Sequence, residues 1–234
     1  MKVYSAAFTF SGTALTSINL PWTRLTNGEG MFYRCSKLRA IHTRTRFPRL
    51  INGNQLFDSC GDLRGFFMDE GFSEFGNHFD FRNLKTAIRM FAECPNIPHV
   101  YLYLPKVTNT SSMFINDTSL TVVDIDYAGN SAANKKAVSM YEGCTNLTTL
   151  SPKAVFQNSL EDASYMFWNC TSLRTYPVSS MGMLKNASGM FYNCTSLNTM
   201  NCSFPSLENA SSMYQNSGIT SFNSNGYGKV TNGK

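Results

Sequence analysis

The sequence predicts an α/β repeat solenoid, and three observations lead to that prediction. A short phrase, typified by MFYNCTSL at residues 190–197, recurs along the whole chain. Its copies follow one another at steps of 23 to 34 residues. Each copy precedes a short stretch in which apolar and polar residues alternate. Units of this length are too short for propeller blades or for ankyrin and tetratricopeptide repeats, so we expect neighbouring units to stack around one continuous interior.

Nine copies of the phrase can be aligned, with different degrees of preservation. Their first residues are Phe8, Met31, Leu56, Met90, Met113, Met140, Met166, Met190 and Met213. Six of the nine carry a cysteine at the fifth position, namely Cys35, Cys60, Cys94, Cys144, Cys170 and Cys194. The other three have Gly12, Asp117 and Ser217 there.

The unit at residues 184–204 shows what one repeat is expected to form. Asn186 or Ser188 can cap a short helix, because a side-chain oxygen can accept hydrogen bonds from the free amides of the first turn. Apolar residues at positions i, i+1 and i+4 from Met190 give that helix one buried face. Residues 195–196 break the helix, and the alternation that follows predicts a strand with one buried face.

The pattern M/L-F/Y-x-x-C-x-x-L, followed by an alternating strand and often by a proline, resembles the BspA-like leucine-rich repeats of bacterial surface proteins. The resemblance covers about residues 8–222. It implies a right-handed leucine-rich-repeat array of about eight to nine units, with a parallel strand face and short helices. It also implies adhesion or recognition at a cell surface. The family occurs in phage proteins too, and it implies no particular ligand.

Three regions are expected along the chain. Residues 1–30 form a degenerate N-terminal unit or cap, because end repeats are usually atypical. Residues 31–223 form the leucine-rich-repeat solenoid, interrupted by a long insertion at residues 66–83. Residues 224–234 are a Gly/Asn-rich tail or the start of a further unit, which favours a truncated chain or a tail completed by a partner.

The insertion is rich in aromatic residues. Its phenylalanines are Phe66, Phe67, Phe72, Phe75, Phe79 and Phe81. Insertions in repeat arrays map to loops, often on the binding face. Two interpretations stay open: a small hydrophobic cluster beneath a long loop, and an aromatic lip on a binding surface.

Composition and charge exclude several classes of protein. Charged residues make up only 15% of the chain, and the net charge is +5. The one basic cluster consists of Arg34, Lys37, Arg39, Arg44, Arg46 and Arg49. A nucleic-acid reader needs a denser stripe of basic residues, so we predict no nucleic-acid partner. No stretch approaches about 18 consecutive apolar residues, so we predict no membrane span.

The N-terminus does not resemble a secretory signal peptide, since it lacks a charged region followed by an apolar core. A surface-type repeat without an export signal has two simple explanations. Either the chain is a segment of a longer exported protein, or it is a phage structural protein that is released by lysis. The expected location is therefore extracellular or on a virion surface.

The seven cysteines are interpreted mainly as buried small hydrophobic residues. Six recur once per unit at one structural position, and the seventh, Cys202, lies on a strand. Stacked units bring adjacent copies to about 5 Å, close to disulfide geometry, so an occasional bridge is an alternative. The chain has no CxxC motif, so we predict no zinc, no other metal and no cofactor.

The candidate binding surface is the outward-facing side of the strands, where equal positions of successive units form columns. Near the C-terminus these columns are small and polar, and from the second to the fifth unit they are aromatic and charged. The predicted ligand- or partner-binding residues are His42, Arg44, Phe67, His99, Tyr101, Tyr103, Asp124 and Asp126. Tyrosine and histidine combine a flat apolar body with a hydrogen-bonding tip, which suits protein hot spots and sugar faces.

Catalysis is not expected. None of the three histidines lies in a nucleophile-elbow or HExxH context. Asp124 and Asp126 share a strand face, but a glycosidase needs two carboxyl groups across a cleft, and their spacing is weak for calcium. Two functions follow. The first is a non-catalytic recognition or adhesion module that binds a protein or glycan on a host or partner cell. The alternative is a virion component, such as a tail-fibre, receptor-binding or capsid-decoration domain that packs against other subunits.

Overall fold

A computed structural model describes residues 3–42, 45–64, 66–67, 79–127, 134–151 and 159–222. The chain winds through successive units that each contribute one short strand or extended segment. The strands are β1 (Ser17–Ile18), β2 (Ala40–His42), β3 (Phe66–Phe67), β4 (Phe79–Asp80), β5 (His99–Tyr103), β6 (Val122–Asp126), β7 (Thr199–Met200) and β8 (Ser221–Phe222). They form three parallel sheets in the orders β1-β2-β3, β4-β5-β6 and β7-β8.

A second parallel ladder joins the units at the corner before each repeated phrase. It consists of single backbone bridges that link Ser5, Asn27, Asn52, Thr86, Asn109, Lys136, Asp162, Asn186 and Asn209 in turn. Asn186 does not cap a helix there. Its Oδ1 accepts the N–H of Ser188 at 3.1 Å, and this closes the corner of the coil.

The repeated phrase forms consecutive turns, and no helix occurs among the described residues, so the predicted short helices are not found. Within residues 187–194, every second N–H donates to the carbonyl three residues earlier, at 3.1 to 3.2 Å. The N–H groups in between, such as that of Phe191, donate to carbonyls of the next unit, such as that of Met213, at 2.8 to 2.9 Å. An α-helix would keep all these hydrogen bonds inside one unit.

The spacing between units explains why turns replace helices. The buried aromatic rings of the phrase stack on one another with centroids 5.4 to 5.7 Å apart. Packed helices need about 8–10 Å between their axes, almost twice this distance. Stacked turns fit the short distance between successive units. Their hydrogen bonds run from unit to unit along the array, as hydrogen bonds do between strands of a sheet. The stacked rings are Phe10, Phe32, Phe57, Phe91, Phe114, Tyr141, Phe167, Phe191 and Tyr214.

Each turn segment contains two residues with positive φ, one before the methionine position and one before the cysteine position. In the unit that starts at Met190 these are Gly189 (φ 59°) and Asn193 (φ 56°). The left-handed region costs most residues about 1–2 kcal/mol, whereas glycine and asparagine enter it more readily. The recurring Asn or Gly before the cysteine, as in the tripeptides YNC and WNC, is the sequence signal that favours turns over a helix.

The cysteines form a buried ladder of their own. In the six units that carry one, the thiol donates to the carbonyl of the stacked aromatic residue in the preceding unit, at 3.0 to 3.1 Å. All seven cysteines are buried and free. Burial raises the pKa of the thiols of Cys94, Cys144 and Cys170 well above the usual value. The interpretation as buried small side chains therefore describes this structure, and the alternative of a disulfide does not.

In the first copy of the phrase, the residues that enter the stacked columns differ by one position from those that the sequence alignment indicates. The ring of Phe10, and not that of Phe8, stacks on Phe32. Consequently Thr13, and not Gly12, occupies the cysteine column, with its Oγ1 3.4 Å from Sγ of Cys35. Gly12 instead has a φ of 69° and takes the left-handed position before the cysteine column.

The insertion is described only at its two ends, and residues 68–78 lie outside the described part of the chain. Its C-terminal end returns to the core as β4. Phe79 and Phe81 are buried, with ring centroids 6.3 and 5.9 Å from Phe47. These two phenylalanines belong to the interior, as in the first interpretation of the insertion, and not to an exposed lip.

Candidate recognition face

Strands β5 and β6 are the longest in the structure, with five residues each, and they carry most of the predicted site. Their sequences, HVYLY and VVDID, alternate strictly. Val100, Leu102, Val123 and Ile125 are fully buried and fix the two strands to the core. The residues between them project to the opposite face. The outer face is therefore a rigid surface with a buried hydrophobic support.

The register brings the predicted residues together in three rows. His99 pairs with Val122, Tyr101 with Asp124, and Tyr103 with Asp126. Side chains directly opposite each other on neighbouring strands lie within reach of one another. Tyr101 and Val122 are the most exposed apolar groups here, at 43% and 40%, whereas Tyr103 and the two aspartates are half-buried.

The other side of Tyr103 is occupied by a residue that sequence analysis missed. Asp80 of β4 pairs with Tyr103. Asp80 accepts from the backbone N–H of Arg82 at 2.8 Å and from its Nε at 2.7 Å. One row across the sheet therefore reads Asp80, Tyr103, Asp126. The signal was the alternating FDF at residues 79–81, which reproduces a strand inside the insertion.

The remaining predicted residues lie elsewhere or outside the described chain. His42 of β2 pairs with Phe67 of β3, and both belong to the sheet formed by β1, β2 and β3. That sheet is separate from the one that contains Tyr101, because the insertion adds β4 between them. The predicted binding residues are therefore divided between two sheets. Arg44 lies outside the described residues.

The carboxyl groups of the predicted site on this face come from a single strand. Asp124 and Asp126 project from one flat strand with Ile125 buried between them. Glycoside hydrolysis needs two carboxyl groups on opposite sides of a sugar. His99 lies 3.4 Å through its Nδ1 from Oγ1 of Thr121. Across the described ranges, no group of three or more His, Cys, Asp or Glu side chains is arranged to hold a metal ion.

The part of the chain that the structure describes contains no helix long and apolar enough to cross a membrane.

Comparison with family profiles agrees with the repeat architecture. The sequence profile of a family described as "BspA type Leucine rich repeat region" matches residues 3–88 and 137–231 in six copies. A leucine-rich repeat protein from Eubacterium ventriosum ATCC 27560 is similar over 93% of this chain and 69% of its own, with 16% identity and a TM-score of 0.41. One from Bacteroides ovatus ATCC 8483 is similar over 88% and 70%, with 18% identity and a TM-score of 0.27. A comparison with curated protein sequences found no match.

Proposed function

The chain belongs to the BspA-type leucine-rich repeat family, and from that premise we propose that it is a non-catalytic recognition module that binds a protein or glycan on a cell surface through the outer face of β5 and β6. The family suggests a surface or protein-interaction module in general. The particular face and the kind of partner are our inference.

One observation carries the proposal: the exposed Tyr101 and the half-buried Tyr103 of β5 lie opposite two half-buried aspartates of β6, on the two longest strands of the described chain. Tyr101 and Tyr103 pair with Asp124 and Asp126 in a fixed register. A rigid aromatic side chain loses little conformational entropy on binding, and a carboxylate beside it supplies a directional hydrogen-bond acceptor. The face thus favours partners rich in hydroxyl or amino groups, which both glycans and protein surfaces present.

The position of the tyrosines relative to the core makes them suitable anchors. Val100 and Leu102 flank Tyr101 in sequence and are completely buried, so the backbone that carries Tyr101 is held on the interior side. Binding hot spots are usually such preorganised aromatic residues. The equivalent column near the C-terminus carries small polar residues, including the exposed Asn201, and offers no such anchor.

The test is a binding assay with the labelled full chain on a panel of cells and on a glycan array. Tyr101→Ala is expected to weaken binding about tenfold, because truncating an exposed anchor typically costs 1–2 kcal/mol or more. Asn201→Ala, in the same column four units further on, is the matched control and should bind normally. Protease treatment of the cells distinguishes a protein partner from a glycan. Unchanged binding by Tyr101→Ala and by Tyr103→Ala, with normal thermal unfolding, would assign recognition to another surface.

A further inference from the structure

The turn side of the array carries a second aromatic surface, which consists of Tyr165, Trp168 and Tyr192. The rings of Trp168 and Tyr192 stack at a centroid distance of 3.8 Å with planes 7° apart. Tyr165 meets Trp168 edge-on at 5.3 Å and 64°. Tyr165 is 42% exposed, and the other two rings are half-buried. We call these three residues the turn-face aromatic cluster.

A glycine provides the space in which this cluster assembles. Gly189 occupies, in the next unit, the position that Tyr165 holds in its own unit, and both residues have positive φ. A Cβ on Gly189 would lie 2.7 Å from Cδ1 of Tyr165 and 2.9 Å from Cε3 of Trp168. Since the Tyr165 ring rests against Gly189 and Trp168, its exposed area is on the opposite side. The cluster therefore offers an aromatic surface backed by main chain.

Asparagine side chains follow Trp168 and Tyr192 in sequence, and a third asparagine contacts Tyr192. Asn193 Nδ2 donates to Asn169 Oδ1 at 2.9 Å, and Asn216 Nδ2 donates to the hydroxyl of Tyr192 at 3.2 Å. Each of these amides keeps further donor and acceptor capacity, because an asparagine side chain has two N–H groups and a carbonyl with two lone pairs.

The cluster and the turn segment that follows it carry no charged residue, whereas Glu142 holds the equivalent position in the preceding unit. The three turn segments at residues 165–170, 189–194 and 212–217 contain no Asp, Glu, Lys or Arg. In the equivalent column of the other units, Trp168 and Tyr192 are replaced by Ser11, Tyr33, Asp58, Ala92, Ile115, Glu142 and Gln215. Only in the cluster does this column carry aromatic residues in two consecutive units.

We propose that the turn-face aromatic cluster is a binding site for an uncharged saccharide, separate from the strand face. The apolar C–H faces of a sugar ring pack on an aromatic ring, and its hydroxyl groups match the donors and acceptors of neighbouring amides. The absence of charge from the three turn segments favours a neutral ligand over sulfated or sialylated chains. This inference does not rest on the proposed function of β5 and β6.

The experiment uses the full chain and the fluorescence of tryptophan. The chain has two tryptophans, and Trp22 is 95% buried, so a ligand-dependent change in emission reports mainly on Trp168. The probes are neutral hexose and N-acetylhexosamine oligosaccharides, together with sulfated and sialylated oligosaccharides of equal length. Binding of a neutral oligosaccharide is expected, and Tyr165→Ala and Trp168→Ala should each weaken it about tenfold.

Matched controls separate this site from the rest of the surface. Tyr33→Ala removes an outward aromatic residue from the same column, where the next unit has Asp58, and should leave saccharide binding unchanged. Tyr101→Ala tests the strand face separately, where it should weaken the proposed binding about tenfold. If Trp168→Ala lowers the unfolding temperature, saccharide binding by Tyr165→Ala, at the more exposed residue, decides whether the cluster is the site.

Several results would overturn the proposal. These are no binding of any neutral oligosaccharide, a preference for the charged probes, or full affinity in both cluster variants. A protein partner whose binding is lost in the same variants would instead make the cluster a protein contact.

Discussion

Asp117 accepts the backbone N–H of Cys94 through its Oδ1, at 2.7 Å, in the interior of the array. In the six units with a cysteine at this position, a thiol donates instead to a carbonyl of the preceding unit. Asp117 is completely buried, and its Oδ2 has no hydrogen-bond partner among the described residues. Burial raises the pKa of Asp117 well above its usual value, the Cys94 N–H opposes this, and the carboxylates of Glu93 and Asp58 add to the rise.

Replacement of Asp117 by asparagine is expected to stabilise the protein increasingly as the pH rises. The unfolded carboxyl ionises near pH ~3.9, while the folded one retains its proton, so the wild-type loses up to about 1.4 kcal/mol of stability per pH unit above that value. This loss ends where the pH passes the raised folded pKa. An asparagine keeps an acceptor for the Cys94 N–H and does not ionise.

Urea unfolding of Asp117→Asn and wild-type at about pH 4 and about pH 7.5 measures this effect. The two proteins should differ little at the lower pH, and the variant should be more stable at the higher one. An equal difference at both pH values would mean that folding does not raise the pKa of Asp117.

The buried thiols are expected to be inaccessible in the folded protein. All seven cysteines are buried and free, and burial raises the pKa of Cys194 and of Cys202 to about 12. Because the thiolate is the reactive species, a disulfide reagent at mildly alkaline pH should titrate almost none of them in the native state. In denaturant it should titrate all seven. If fewer than seven thiols react in denaturant without reductant, the protein contains a disulfide.

Tyr141→Phe is expected to stabilise the protein by about 1 kcal/mol, because a buried polar group without a partner costs about 1–3 kcal/mol. Tyr141 stacks between Phe114 and Phe167, and its hydroxyl has no hydrogen-bond partner in the described residues. Thermal or urea unfolding measures the change. Tyr192→Phe is the control, since its hydroxyl accepts from Asn216, and it should be neutral or slightly destabilising. Destabilisation by Tyr141→Phe would indicate an unobserved partner for its hydroxyl.

Gly143→Ala is expected to destabilise the protein by about 1–2 kcal/mol, the cost of the left-handed region for a residue with a Cβ. Gly143 has a φ of 73°, and an added Cβ would also meet Oδ1 of Asn116. Gly182→Ala is the matched control, because a Cβ there meets nothing within 4 Å. Urea unfolding compares the two variants. Equal effects would show that the turn adopts another conformation at Gly143.

Sequence reasoning located most of the candidate face, and it failed where the period of the repeat failed. The pairs His99–Val122 and Tyr101–Asp124 follow from aligning the repeats, since equal positions in equal units must become neighbours in a parallel sheet. Phe67 holds the same position in its unit as Tyr101, so the same alignment would make the two residues neighbours. The insertion breaks that relation because it contributes a strand of its own, and Asp80 takes the place next to Tyr103.

The sequence by itself determined that this chain is an array, which residues face its interior and which columns lie outside, because a buried pattern repeated at a fixed period can be satisfied only by stacking. The tertiary structure decided how each unit closes. A rise of 5.4 to 5.7 Å between stacked rings leaves no room for a helix, and the N–H groups of the phrase bind the neighbouring unit. It also decided that Tyr165, Trp168 and Tyr192 meet, since contacts between different units depend on that rise.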